Sequence, residues 1–243
     1  MQLAEMIKMI EKRQSIRHYE KRPVDSETVA QIFAFIDTMK PLYADIGVKA
    51  ELVEKNKVKS LFPWVTPQVI AIFSEDKEGM MENVGFLYQQ LDLYLQSIGL
   101  GTCWLGVGRP NEEEIISCTE QGAMQYVIMM SFGYPKEPLY RDSVLDFRRK
   151  GLSEIADEVD SRLEPARLAP SSMNSQPWYF VHDGQWMHVY CAQKGVEKAK
   201  KLNRLDTGIA LAQLYVSNVE TFRFVKQEVP ERKGYAYIGS VSI

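Results

Sequence analysis

The chain has 243 residues, 45% of them hydrophobic and 25% charged, with a net charge of −3. That composition is ordinary for a globular protein, and the length suffices for one large domain or two small, intimately packed ones. The slight acidity gives no sign of a nucleic-acid or anionic-membrane binder.

The opening helix ends near Arg13 and is followed by Ser15-Ile16-Arg17-His18-Tyr19. Because Leu3, Met6, Ile7 and Ile10 keep helical spacing between charges, this opening does not read as a signal peptide. Asp25-Ser26-Glu27, just past Pro23, starts a helix over Thr28–Met39. Pro67–Phe73 reads as a buried strand. Asn83–Ile98 is apolar on several faces, as a central helix would be, and Gly99-Leu100-Gly101 stops it. Thr102–Val107 is extended, Asn111–Ser117 is a short capped helix, and Tyr126–Phe132 is a strand closed by Gly133-Tyr134-Pro135. Leu152–Leu168 reads as one helix, and Tyr179–Val181 with Trp186–Cys191 as a hairpin around Asp183-Gly184. Asp206–Val219 is a second very apolar helix, followed by strands at Phe222–Lys226 and Tyr235–Val241. Asn83 and Asp206 are placed at helix N-termini. No segment approaches the ~20 apolar residues of a membrane span, so a soluble, cytoplasmic protein is expected.

The two apolar helices overlay at Gly85/Gly208, Gln90/Gln213 and Leu91/Leu214, each pair 123 residues apart. With similar elements on either side, this implies a duplication, with one half at 1–150 and the other at 151–243. No Gly/Ser/Pro-rich linker separates them, so the halves are expected to share one core.

Four segments could carry chemistry. Ala169–Trp178 reads APSSMNSQPW: Pro170 and Pro177 stiffen it, and two hydroxyls with the amides of Asn174 and Gln176 suit a flat polar heterocycle. Arg13 to Arg17 places two guanidiniums around a hydroxyl. That is a compact anion site, or a helix end with arginine near its carboxyl terminus. Gly99–Gly106 is a helix stop leading into a core strand, where Gly106 permits close backbone approach. Arg148-Arg149-Lys150 reads, on its residues, as a cationic turn between the halves. Cys103, Cys118 and Cys191 lack metal-like spacing, and their odd count opposes a disulfide framework; they read as reduced and mostly buried. The three histidines suggest neither a metal site nor a triad, and there is no Rossmann glycine fingerprint.

On these segments the chain resembles the nitroreductase-like FMN-dependent flavoproteins, most of all the branch in which a single chain mimics the family's dimer. APSSMNSQPW is similar to APSxxNxQPW, RQSIRHY to RRSIRxF/Y, GLGTCWLG to GLGTCWIG, and RRKGL to a basic-then-Leu segment. The resemblance implies an α+β, three-layer α/β/α fold with internally duplicated halves packed as a pseudo-dimer. It also implies FMN as the cofactor. Arg13, Gln14, Ser15 and Arg17 would then grip the phosphate and ribityl chain, with Gln14 standing where a basic residue is usual. Trp104, Leu105 and Gly106 would run beside the isoalloxazine. Arg148 and Arg149 would add phosphate contacts, and Pro170, Ser171, Ser172 and Asn174 would complete the site.

The first half has Lys40-Pro41-Leu42-Tyr43-Ala44 in place of APSxxN. The second lacks RxSxR and GLGTCW. These complementary losses imply one FMN per chain at the junction of the halves, with no homodimer required. The implied activity is NAD(P)H-dependent transfer of two electrons to a nitroaromatic, quinone or flavin acceptor. The partners would be NAD(P)H and that small molecule, with no nucleic acid, membrane or metal involved. No catalytic acid or base is assigned; Arg17 is the candidate to stabilise charge on reduction. The alternatives are a flavin- or ligand-binding protein without turnover, or a related flavin reaction such as reductive dehalogenation or flavin breakdown. Tyr43, Phe62, Trp64 and Tyr140 are candidates to line the acceptor pocket or to pack in the core.

Overall fold

A computed structural model of the chain describes residues 2–59, 66–119 and 124–243, with 116–118 described in backbone only. Phe62, Trp64 and the Cys118 side chain therefore lie outside the described residues. The chain divides into two compact units, Met1–Met80 with Leu91–Asp142 and Met81–Gln90 with Ser143–Ile243. The class is α+β.

The first unit opens with helices α1 (Gln2–Ile10) and α2 (Ser26–Ile36), the latter capped by Asp25, whose carboxylate accepts the Thr28 N–H at 2.9 Å. Strands β1 (Val48–Glu54), β2 (Val58–Lys59) and β3 (Gln68–Glu75) follow, then α3 (Met80–Ser97) and β4 (Gly101–Leu105). The unit ends with β5 (Arg109–Pro110), α4 (Glu112–Thr119) and β6 (Met124–Gly133). Its antiparallel sheet runs β1-β3-β6-β4, and β2 pairs with β5 in a separate ribbon. Gln68 to Ser74 are all buried, which is why β3 reads as a continuous apolar run. Val69, Ala71 and Phe73 pack with Val53, Cys103, Leu105 and Met129, and Ile115 of α4 closes over them. β1, β2 and β5 are strands that the pattern did not predict; β1 alternates charged with apolar residues and β5 contains a proline.

In the second unit, α5 (Leu152–Ile155) and α6 (Glu164–Leu168) are separated by an extended stretch and a 3-10 turn. The single helix expected over Leu152–Leu168 is therefore broken. Ala156 leaves it to bridge Phe180, and the Asp157 carboxylate accepts the His182 backbone N–H at 3.1 Å. Pro165 suits the first turn of a new helix. β7 (Trp178–Asp183) and β8 (Trp186–Ala192) form the predicted hairpin, with Gly184 at φ 59° in its two-residue turn. α7 (Glu197–Ser217), β9 (Arg223–Val225) and β10 (Tyr235–Ser242) follow. α7 begins nine residues before Asp206, which is thus a mid-helix residue and caps nothing. Asn83 is likewise inside its helix, buried, with Gly79 at the cap.

The second sheet, β7-β8-β10-β9, has the order of the first when β1, β3, β6 and β4 are matched to β7, β8, β10 and β9. Each sheet also has a one-residue bulge at the same place. Val127 is skipped in the pairing of β6 with β3, and Ile238 in the pairing of β10 with β8; each is the fourth residue of its strand.

Within the second unit, the α3 residues Met81–Gln90 cross α7 at two glycines. A Cβ on Gly85 would stand 2.1 Å from the Leu205 carbonyl oxygen, and one on Gly208 would stand 2.1 Å from that of Glu82. Glu82 and Leu205 are themselves 123 residues apart, so the two approaches are separate, equivalent contacts related by the same offset as the two glycines. Arg204 Nε meets the buried Glu82 carboxylate at 2.6 Å beside this crossing. No helix among the described residues is long and apolar enough to cross a membrane.

Candidate cofactor-binding site

The first unit brings two of the four segments together. Ser15 bridges Thr102 in parallel, and the Ile16 N–H donates to the Thr102 oxygen at 2.8 Å, so Arg13–Arg17 lies along β4. Gly101 makes this possible: a Cβ there would fall 2.7 Å from the Ile16 side chain. The Gln96 side chain at the end of α3 holds Gln14 as a neighbouring strand would. Its Oε1 accepts the Gln14 N–H at 3.2 Å, and its Nε2 donates to the Gln14 oxygen at 2.9 Å. The Gln14 amide donates to the Pro138 oxygen. Glu137 Oε1 accepts the Arg17 N–H at 2.7 Å, leaving the Arg17 side chain exposed.

Arg13 is placed differently from an open anion contact. It is 1% exposed, and its Nε lies 2.9 Å from Asp92 Oδ2, a carboxylate that is fully buried. Thr102 Oγ1 donates to the other oxygen of that carboxylate. A buried guanidinium needs such a counter-charge. Trp104 is half-buried, Leu105 is buried and Gly106 is exposed at the bend after β4. Cys103 is buried, and burial pushes its thiol pKa up, as befits a small core residue.

The second unit interlocks the other two segments. Asn174 Oδ1 accepts from Arg149, and Asn174 Nδ2 donates to the Arg148 oxygen at 3.0 Å. The Lys150 N–H donates to Gln176 Oε1 at 2.8 Å, and Lys150 Nζ donates to the oxygens of Ser175 and Gln176 at 2.9 and 3.0 Å. Partial burial lowers the Lys150 pKa. The Gln176 N–H closes the loop on Ser171 Oγ at 2.9 Å. Arg148, Met173, Asn174 and Gln176 have φ between 48° and 58°, and they are all the non-glycine residues with positive φ among those described. Each left-handed residue costs roughly 1–2 kcal/mol, and such strain gathers where a loop is held for function. Pro170 is buried, Ser171 is half-buried, and Ser172 to Ser175 are exposed, with Met173 at 99%. Arg148 is exposed and makes no ion pair among the described residues.

Tyr140 packs by its hydroxyl, which donates to the Gln96 oxygen at 2.8 Å, and the Tyr43 ring lies against Gly79. His182 bridges Asp157 and Asp160 at 2.8 and 3.2 Å, and no metal-binding group occurs among the described residues. Sequence reasoning did not single out Asp92, Gln96 or Glu137 as holders of these segments, and it gave Lys150 and Asp206, whose carboxylate accepts the Ser172 N–H, other roles. For Asp92, Gln96 and Asp206 the available signal was a charged or amide residue inside an apolar stretch of helix; Glu137 and Lys150 lie outside the helices and carried no such signal.

The sequence model of the family described as "Putative TM nitroreductase" matches residues 5–218. The chain belongs to that family. Among solved structures it is similar to a nitroreductase so described from Thermotoga maritima MSB8, at 20% identity and TM-score 0.64, covering 97% of this chain and 91% of that one. A nitroreductase family protein from Clostridium difficile 630 matches at 17% identity and TM-score 0.49, over 63% of this chain and 94% of that one. An FMN-dependent nitroreductase from Clostridium difficile R20291 matches at 15% identity and TM-score 0.43, over 56% and 94%. The first of these likenesses carries the fold. No curated protein matches the chain.

Proposed function

We propose that the chain is an FMN-dependent oxidoreductase of nitroreductase type, passing two electrons from NAD(P)H to a nitroaromatic, quinone or flavin acceptor. The observation that carries this reading is the strained 171–176 loop, fastened by Arg149, Lys150 and Asn174 beside Arg148, an exposed cation with no ion pair among the described residues. A rigid polar loop with a cation at its edge suits a phosphorylated, flat heterocycle. When bound, FMN supplies the two-electron carrier.

In this reading Arg17, Arg148 and Arg149 bear on the phosphate or on the charge that reduction creates. Ser15, Ser171, Ser172 and Asn174 offer hydrogen bonds, and Pro170 fixes the loop. Gln14 contributes backbone, since its amide is taken by the Pro138 oxygen. Trp104, Leu105 and Gly106 offer backbone and a flat wall. Arg13 acts from beneath, through the segment that it and Asp92 hold. We propose further that 1–150 and 151–243 are duplicated halves that bind one FMN per chain. The shared strand order, the matched bulges and the reciprocal glycines support the duplication.

The test is to load the purified chain with FMN, remove the excess, and record anaerobic visible spectra before and after NADH and NADPH. One retained flavin per chain that bleaches is the expected result. Retained flavin that neither nucleotide reduces would indicate a binding protein, and no retention would overturn the cofactor assignment.

A further inference from the structure

Asp206 is a carboxyl residue in the middle of a helix that is otherwise apolar at this level. Leu205, Thr207, Gly208 and Ile209 around it are all buried, and Asp206 itself is 3% exposed. It forms no ion pair among the described residues; its sequence neighbour Arg204 is turned to Glu82 at 2.6 Å. Its hydrogen bond is to a main-chain group far away in sequence. Oδ2 accepts the Ser172 backbone N–H at 3.0 Å, reaching from α7 to the 171–176 loop. Burial pushes the carboxyl well above its ordinary range, so the helix gains nothing in stability from an acid here. A core residue chosen for packing alone would be apolar.

The loop gives that contact its purpose. The Lys150 and Arg149 clamps grip it from residue 174 onward, and Ser171 Oγ ties its start to Gln176. The Ser172 amide stands ahead of the left-handed pair Met173 and Asn174. Fixing that amide sets the direction in which the chain enters the turn, and with it the direction of the exposed Ser172 and Asn174 side chains.

We propose that Asp206 is a positioning residue for the cofactor loop: an acceptor planted in the core of α7 that holds the Ser172 amide and thereby pre-orders residues 171–176 for the flavin. The proposal rests on the flavin reading above. No contact of Asp206 with the cofactor is involved.

The test compares Asp206→Leu, Asp206→Ala and Asp206→Asn with the wild type, first without ligand. Asp206→Leu is expected to fold, because an apolar side chain suits this level of α7; Asp206→Asn keeps an acceptor oxygen. Amide exchange is followed over residues 169–178 and over the whole chain, together with the urea unfolding midpoint. The Leu and Ala variants should lose protection at Ser172 and its neighbours by about tenfold or more while the rest of the chain keeps its own; Asn should restore it. FMN titration should show the same order, with affinity about tenfold weaker for Leu and Ala and near the wild-type value for Asn.

Unchanged exchange at 171–176 in folded Asp206→Leu would overturn the proposal, as would Asn failing to restore protection. Loss of protection with unaltered FMN affinity would also overturn it. If the wild type itself binds no FMN, the flavin reading fails on that measurement, while the exchange result still decides whether Asp206 holds the loop.

Discussion

The 13–17 segment in the first unit and the 171–176 loop in the second are held by opposite means. The first borrows regular structure: it lies along β4, the Gln96 amide imitates a further strand, and the only unusual element is a buried ion pair. The second has no strand to lean on. Three of its residues adopt left-handed backbone, and side chains from 149, 150 and 206 hold it in place. The difference shows that a binding segment can be made rigid either by joining a sheet or by side-chain fastening. The two routes fail differently. The sheet-joined segment depends on one buried charge pair, whereas the fastened loop should loosen clamp by clamp.

The largest effect should come from the first unit. Asp92→Asn leaves the Arg13 guanidinium buried without its counter-charge and should destabilise the chain by about 3–5 kcal/mol, read from urea unfolding. A loss below about 1 kcal/mol would mean that water or another group reaches Arg13. In the loop, Asn174→Ala removes its clamps and also puts at φ 58° a residue without asparagine's tolerance of left-handed backbone, for an expected cost of about 2 kcal/mol. Asn174→Gly removes the same hydrogen bonds but tolerates the backbone, so it should cost about 1 kcal/mol less. Equal losses would show that strain contributes nothing.

The smallest effect tests a fastening elsewhere in the second unit. Burial lowers the His182 pKa, but Asp157 and Asp160 together outweigh it and leave the pKa raised. The stabilisation is then complete below the unfolded value of about 6.5 and fades as pH rises through the folded one. His182→Gln should flatten the fall in stability above about pH 6.5, an effect of about 1 kcal/mol or less.

Elements whose period is set by burial were readable in the sequence: β3, α3, β6 and the β7–β8 hairpin all lie close to their expected bounds. The first turns of α7 were not, because Glu197 to Arg204 are mostly charged and carry no apolar stripe. The break between α5 and α6 was hidden because its cause is tertiary, namely Phe180 and His182 drawing off Ala156 and Asp157. The site behaves the same way. Its four segments stood out as local motifs, but that Arg13 faces Asp92, or that Ser172 leans on Asp206, depends on residues 79 and 34 positions away. An ionised side chain in a motif announces a charge; its partner is known only once the chain is folded.

The assignment of Met81–Gln90 to the second unit has a consequence for how this chain can be handled and inherited. No single cut separates the units: a break at 142/143 leaves the later fragment without the strip of α3 that Gly208 is shaped to receive. Expressed alone, residues 143–243 would present an open glycine notch. Neither unit is therefore a transferable module, and a gene fusion or a protease nick between them should yield a pair that must reassociate, not two independent proteins.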